Sequence, residues 1–364
     1  MSERGCVEAN NRFVLYREVD GTVYDVGLPL TSHVDADKLR EELGLPSYID
    51  LSYFPMRSAM VTLWASVNAY RLHELYPKAF EKRVCKNSIP ALLFGGAAVK
   101  IHCPSANSKG CLSRDIKDTD FIVPKKFGTE FYRLLLNLDR AFGSCYKSFA
   151  TVNDRRFNAW RHGERYRVTT INGVNGEGLP TLTVLDIFCD RIVLRHKVEV
   201  TGEFEKFKEN LYTISLEHLL LSKAQFIFDA PAGAAEELKL HGQDYRILEY
   251  PHYPKDKIIV GMEEKDVKDV CAIFLDHEIG SGAEAINSQK MRKILEGDKK
   301  LALTVTLNLK NIADKPEALK NWLSKRDLAR VKEKIELLLK DLPSVDKKWD
   351  KPWWDTGVET PQIN

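Results

Sequence analysis

Asp118, Asp120 and Asp186 are the residues whose types and spacing point most directly to chemistry in this sequence. Asp118-Thr119-Asp120 leads into Phe121-Ile122-Val123, and Pro124 closes the run, so the segment reads as a strand. Residues two apart on a strand share a face, so both carboxylates project together while Thr119, Phe121 and Val123 face a core. Two adjacent carboxylates repel, and next to apolar neighbours they must be hydrated, hydrogen-bonded or neutralised by cations. A divalent pair about 3.5 to 4 Å apart turns such a set into a phosphoryl-transfer device. An isolated D-x-D is also the mark of a solvated strand face, so the weight falls on what accompanies it.

Asp186 accompanies it, inside Thr183-Val-Leu-Asp-Ile-Phe188, where a charge amid apolar residues needs a reason. Metal ligation is one reason, and a hydrogen-bonded structural role is another. Asp190 shares that strand face but stands beside Arg191, which suits a surface ion pair. Upstream, Phe94-Gly95-Gly96-Ala97 places two glycines between a strand and a helix, either as a tight turn or as bare peptide N–H groups open to phosphate oxygens. Leu216, Leu219, Leu220, Lys223 and Ile227 fall on one helix stripe, and a lysine there must snorkel or meet an anion. On that apolar stripe, Lys223→Met is expected to leave the melting temperature unchanged or raise it.

Other chemistry-bearing residues read more plainly. His102, Cys103 and Cys111 match no common zinc spacing. Lys325, Arg326, Arg330, Lys332 and Lys334 alternate with Asp327, Glu333 and Glu336 as on an exposed helix. Trp349, Trp353 and Trp354 read as a tail docked on the protein body rather than as a base-stacking surface.

These residues need elements to hold them. Arg12 to Gly27 alternates around Asp20-Gly21, the signal of a hairpin, and Ala36 to Leu43 and Met56 to Lys82 carry helical periodicity. Ala91 to Phe94, Asp118 to Val123, Arg165 to Ile171 and Leu182 to Cys189 read as strands, with a helix over Thr129 to Phe142. From Ser215 the period is helical, near Leu216–Phe228, Glu263–Leu275, Asn287–Leu295 and Glu317–Leu339. The fold class expected is α+β, divided as 1–88 hairpin and helices, 89–200 mixed-sheet core, 201–300 helical domain and 301–364 C-terminal helix and tail.

Composition narrows the setting. The 364 residues are 44% hydrophobic and 29% charged, which excludes disordered and fibrous classes. With 54 Lys and Arg against 52 Asp and Glu, the net charge of +2 makes no global case for nucleic acid or membrane. Seven scattered cysteines without a C-x-x-C pair suit a reducing compartment. With no apolar run of about 18 residues and no signal-peptide pattern, a cytoplasmic protein without a membrane span is expected.

Taken together, strand, Gly-Gly, helix, D-x-D strand and later Asp strand resemble the DNA polymerase β superfamily of nucleotidyltransferases over roughly Ile89 to Val200. Leu92-Leu-Phe-Gly-Gly-Ala-Ala-Val99, followed by Arg114, Lys117 and Asp118-x-Asp120, looks most like the AbiE-type abortive-infection toxin nucleotidyltransferases. The resemblance implies a polymerase β-like core and a helical C-terminal domain completing its cleft. It implies Mg2+ (two ions, with Mn2+ possible) on Asp118, Asp120 and Asp186, and an NTP held by Gly95, Gly96, Arg114, Lys223 and Asp266, with Asp269 competing for the last role. It implies transfer of an NMP to an acceptor hydroxyl with pyrophosphate release, an RNA acceptor such as a tRNA 3′ end, and an antitoxin protein partner. Nucleotidylation of a protein or small molecule, or nucleotide binding without turnover, are the alternatives. Ile116 departs from the pattern, standing where that group carries Ser or Thr, and the loop Cys103 to Ile116 is longer than usual.

Overall fold

A computed structural model describes residues 5–8, 13–19, 22–25, 36–69, 88–107, 110–142, 146–147, 157–161, 163–174, 180–208 and 211–357. The chain is a mixed α/β protein with mixed sheets and, among the described residues, no barrel. It divides into two compact units, the first formed by 1–97, 115–191 and 200–214, the second by 98–114, 192–199 and 215–364. Both are discontinuous in sequence.

The first unit opens with strands β1 (Gly5–Glu8), β2 (Phe13–Val19) and β3 (Thr22–Asp25), antiparallel in that order. Val19 pairs with Thr22 across Asp20-Gly21, the hairpin the sequence signals. Helices α1 (Ala36–Leu43) and α2 (Phe54–Val67) follow, tied where Trp64 Nε1 donates to Glu42 Oε2 at 2.6 Å. The helical reading of residues 70–82 lies outside the described residues.

The site-bearing sheet has five strands, β4 (Leu92–Phe94), β5 (Asp118–Val123), β6 (Tyr146–Lys147), β7 (Arg165–Val174) and β8 (Pro180–Cys189), in the order β4-β5-β8-β7-β6. Only β5 and β8 run parallel. Alternation divides its residues cleanly. Thr119, Phe121, Val123, Leu185, Ile187, Tyr166 and Val168 are buried on one face, where α4 (Gly128–Phe142) supplies Phe131 against Phe121 at 5.9 Å and Tyr132 stacked on Tyr166 at 5.3 Å. Each of the apolar side chains there, Phe121, Val123, Leu185, Ile187 and Val168, contributes about 1.5–3 kcal/mol of burial. Gly128 lets this helix start close in, because a Cβ there would meet Cys189 Sγ at 2.7 Å. The opposite face carries Phe94, Asp118, Asp120, Asp186, Phe188, Arg165 and Arg167. Helix α3 (Gly95–His102) begins where β4 ends.

The second unit is mostly helical: α5 (Leu216–Ala224), α6 (Ala234–Leu240), α7 (Glu264–Asp276), α8 (Ser288–Glu296), α9 (Lys299–Asp314) and α10 (Lys325–Asp341). Asn287, Asp298 and Ser324 cap the last three with side-chain oxygens that accept from backbone N–H groups. A three-stranded sheet, β9-β11-β10 (Phe228–Pro231, Lys257–Val260, Ile247–Leu248), interrupts the helices. Its strands of two to four residues are too short for periodicity to reveal. The tail docks as expected: Trp349, Trp353 and Trp354 are buried with Ile227, Leu248, Tyr253, Ile259 and Leu303, and Trp353 Nε1 donates to Thr304 Oγ1 at 2.9 Å. Among the described residues no helix is long and apolar enough to cross a membrane.

Candidate functional site

The acidic face is built by register. Asp120 of β5 and Asp186 of β8 are direct partners in the parallel pair, and Asp118 lies two residues along the same face of β5. Asp186 is buried, Asp120 half-buried and Asp118 exposed. Phe94 is the partner of Asp120 on the other side, and its ring meets Phe188 edge-on at 5.1 Å. Gly95 turns the chain from β4 into α3 at φ +69°, and a Cβ there would collide with Asp120 Oδ2. The glycine is therefore required twice, by its left-handed backbone and by the carboxylate pressed against it. Gly96 follows in the first turn of α3.

Asp186 is neutralised by two arginines that the sequence reading did not single out. Arg165 Nη2 donates to Asp186 Oδ2 at 2.6 Å, while Arg167 donates from Nε to Oδ1 at 2.8 Å and from Nη2 to Oδ2 at 3.1 Å. Arg167 is the register partner of Asp186 on β7. Phe188 lies under the Arg165 guanidinium at 4.3 Å, and Phe157 contacts those of Arg165 at 5.2 Å and Arg167 at 4.5 Å. Alternating Arg-x-Arg on a strand beside an Asp-bearing strand was the available signal, and it needed the pairing partner to be read.

Three carboxylates with no softer ligand are the donor types a hard divalent cation takes, but both oxygens of Asp186 already accept from arginines. Two guanidinium groups stand at Asp186 as the compensating positive charge that a buried carboxylate demands. Among the described residues, no three acid, histidine or cysteine side chains converge into a ready-made metal cage.

The second unit holds a different constellation. Lys223 of α5 lies 2.9 Å from Asp269 Oδ2 and 3.3 Å from Asp266 Oδ1, both on α7. Arg114 forks onto Asp269, from Nε to Oδ1 at 2.8 Å and from Nη2 to Oδ2 at 2.6 Å. Arg114, Lys223 and Asp266 are thus brought together, with Asp269 as the hub. Burial alone would push Asp269 up, but Lys223 and Arg114 overturn it and hold its carboxyl below the usual range. Burial would lower Lys223, yet Asp269 and Asp266 hold it above its ordinary value. For Asp266 burial prevails over Lys223, so its carboxyl is raised, and its Oδ2 is buried without a hydrogen-bond partner.

Other singled-out residues settle into structural tasks. Ile116 is buried, and its peptide N–H donates to the Tyr53 hydroxyl at 2.7 Å. Asp190 adopts φ +62° and accepts from the Lys125 N–H at 2.8 Å, closing a turn. Lys334 departs from the exposed-helix reading: it is buried, donating to His277 O at 2.8 Å and pairing with Glu278 at 2.8 Å. Cys103, Cys189 and Cys271 are buried free thiols, and Cys111 is an exposed one. No family model matches this sequence, no curated protein matches it, and no solved structure matches its fold.

Proposed function

We propose that this chain is a metal-dependent nucleotidyltransferase that moves an NMP from an NTP to an acceptor hydroxyl and releases pyrophosphate. One observation carries the reading. The Gly95 turn closes directly on the carboxylate of Asp120, itself in register with Asp186, so the first peptide N–H groups of α3 stand at the end of a row of acids on one sheet face.

In this reading Asp118, Asp120 and Asp186 would hold magnesium, with manganese as the substitute. Bound there, the cation neutralises triphosphate charge and makes the acceptor hydroxyl a better nucleophile. Gly95 and Gly96 offer peptide N–H groups at the start of α3 to phosphate oxygens. The acceptor oxygen forms its bond to the α-phosphorus as the bond to the bridging oxygen breaks, and pyrophosphate leaves with that electron pair. The hydroxyl proton passes to a carboxylate of the row, for which Asp186 is the candidate. Arg165 and Arg167 would exchange carboxylate oxygens for phosphate as Asp186 takes up the cation. Lys223, Arg114 and Asp266 of the second unit, which the resemblance assigns to the nucleotide, are bound to one another through Asp269 and take no nucleotide role in this reading. An RNA hydroxyl is the proposed acceptor, and an antitoxin the proposed protein partner.

The test is incubation of the protein with each α-labelled NTP and magnesium, with total RNA, with protein lysate or with neither, beside Asp118→Asn. Label on RNA that depends on Asp118 supports the reading. Absence of both label transfer and pyrophosphate in every tube overturns it.

A further inference from the structure

Trp160 is 71% exposed, the largest exposed aromatic surface among the described residues. A single exposed ring is ordinary by itself; what sets this one apart is how its backbone and its neighbouring guanidinium are held. Its position is not loose. Asn158 binds the backbone of β7 twice, accepting from Arg167 N–H at 2.7 Å and donating to Arg167 O at 3.0 Å. Arg161 N–H closes the helical turn on Phe157 O at 2.8 Å, and Arg165 N–H returns to Arg161 O at 3.0 Å. The turn from Phe157 to Arg161 is therefore pinned to the strand that carries Arg165 and Arg167, and it holds Trp160 outward.

One cation lies directly on the ring. The Arg161 guanidinium lies over Trp160 at 4.0 Å from its centroid, and its Nε is buried without a partner. Its ion pair with the exposed Glu164 is loose, at 3.8 Å. The Lys125 side chain runs beside Gly163, where a Cβ would sit 3.8 Å from its Cε. On the other side of the turn, Phe157 supports Arg165 and Arg167, which lead to Asp186 and so to Asp120. Arg165 and Arg167 are engaged by Asp186, so the cations at the turn itself are Arg161 and Lys125, with the acids Glu164 and Asp190 beside them.

We propose that Trp160 and Arg161 form a binding platform for an unpaired polynucleotide strand, with a base stacked on the indole and its backbone phosphates met by Arg161 and Lys125. A flat, rigidly held aromatic beside a fixed guanidinium is sequence-tolerant recognition of a base face and a phosphate. A protein partner would be served by an apolar patch; here the single exposed ring carries the Arg161 guanidinium on it, with the Lys125 side chain beside the same turn, a base face next to phosphate donors. As the acceptor site of the proposed transfer the platform rests on that reading, whereas as a strand-binding surface it stands alone.

The experiment measures binding of a fluorescein-labelled RNA strand of about 12 nucleotides, a DNA strand of the same sequence and the matching duplex, at low ionic strength with and without magnesium. Both strands are expected to bind in preference to the duplex. Trp160→Ala should weaken strand binding by ~10-fold or more with an unchanged melting temperature, and Trp160→Phe should largely restore it. Arg161→Ala should reduce the salt slope by about one. Equal binding by wild type and Trp160→Ala, equal binding of duplex and strand, or no strand binding at low salt overturns the platform. Asp118→Asn separates the two proposals. Trp160-dependent strand binding in a protein that transfers no nucleotide removes the transfer reading and keeps the platform. Transfer that ignores Trp160, with no strand bound, does the reverse.

Discussion

Two charged clusters, one in each unit, use the same residue types to opposite ends. In the second unit two cations, Arg114 and Lys223, meet two carboxylates, Asp266 and Asp269, and those carboxylates are 1% and 2% exposed. Its charges balance inside the cluster. In the first unit two arginines converge on one carboxylate, Asp186, stacked on Phe157 and Phe188, and the arrangement runs outward through a pinned turn to an exposed tryptophan. A cluster whose charges are all spent internally holds elements together; one that continues to the surface has chemistry left to offer. The comparison teaches that residue type does not separate a structural ion network from a site, whereas coverage does.

The largest effect expected is on turnover. Asp118 is exposed, so Asp118→Asn should keep the melting temperature while lowering label transfer by ~10³-fold, the scale of several kcal/mol of lost charge stabilisation. Retained turnover would remove the carboxylate row from the chemistry.

The second cluster should answer in stability instead. Asp269→Asn strands Arg114 and Lys223 in a buried setting and should cost about 3–5 kcal/mol in chemical denaturation. Lys223→Met should also destabilise, by a similar amount, because it leaves two buried carboxylates to one arginine. This reverses the expectation drawn from the apolar stripe. If Lys223→Met proves neutral, the contrast between the clusters collapses.

A pH series sharpens the same point. Asp269 is depressed in the folded protein, so its contribution is present above its ordinary value of 3.8 and is lost as pH falls through the lower folded value. Lys223 is raised, so its contribution is full below its ordinary value of 10.5 and is lost as pH rises through the higher folded value. Thermal melting should therefore show this stabilisation across the window between those two values, and Asp269→Asn should flatten both edges. Asp266 works against the acid edge, since its raised carboxyl is favoured when protonated.

The smallest effect expected is Gly95→Ala. A left-handed alanine costs about 1–2 kcal/mol, and its methyl must displace the Asp120 carboxylate. Stability should fall modestly while nucleotide binding falls further, which comparison of the melting temperature with NTP affinity would show. A loss of stability without a loss of affinity would make the glycine a turn residue only.

Much of the local structure was legible. The hairpin at Asp20-Gly21, the strand from Asp118, the strand pair expected over Arg165–Ile171 and Leu182–Cys189 and found over Arg165–Val174 and Pro180–Cys189, and helices α4, α5, α7 and α8 follow from turn residues and apolar period. Helix α9 was missed although Asp298 caps it, because its buried face includes Thr304 and Asn308 and so blurs the stripe. Of the candidate site, the sharing of a face by Asp118 and Asp120 follows from alternation alone. The arginine partners of Asp186 and the platform at Trp160 do not, since both depend on which strand lies beside which.

By itself the sequence determined which side chains were present, their period, and thereby which elements form and which faces those elements must bury. Only the tertiary structure decided pairing: that β5 runs parallel to β8 and brings Asp120 to Asp186, that β7 delivers Arg165 and Arg167 to the same acid, and that Lys223 meets Asp266 and Asp269 rather than solvent. The physical reason is range. Backbone propensity and amphipathic period act over a few residues, whereas the cost of burying a charge is met by whichever opposite charge the packed fold places within about 3 Å, however distant in sequence.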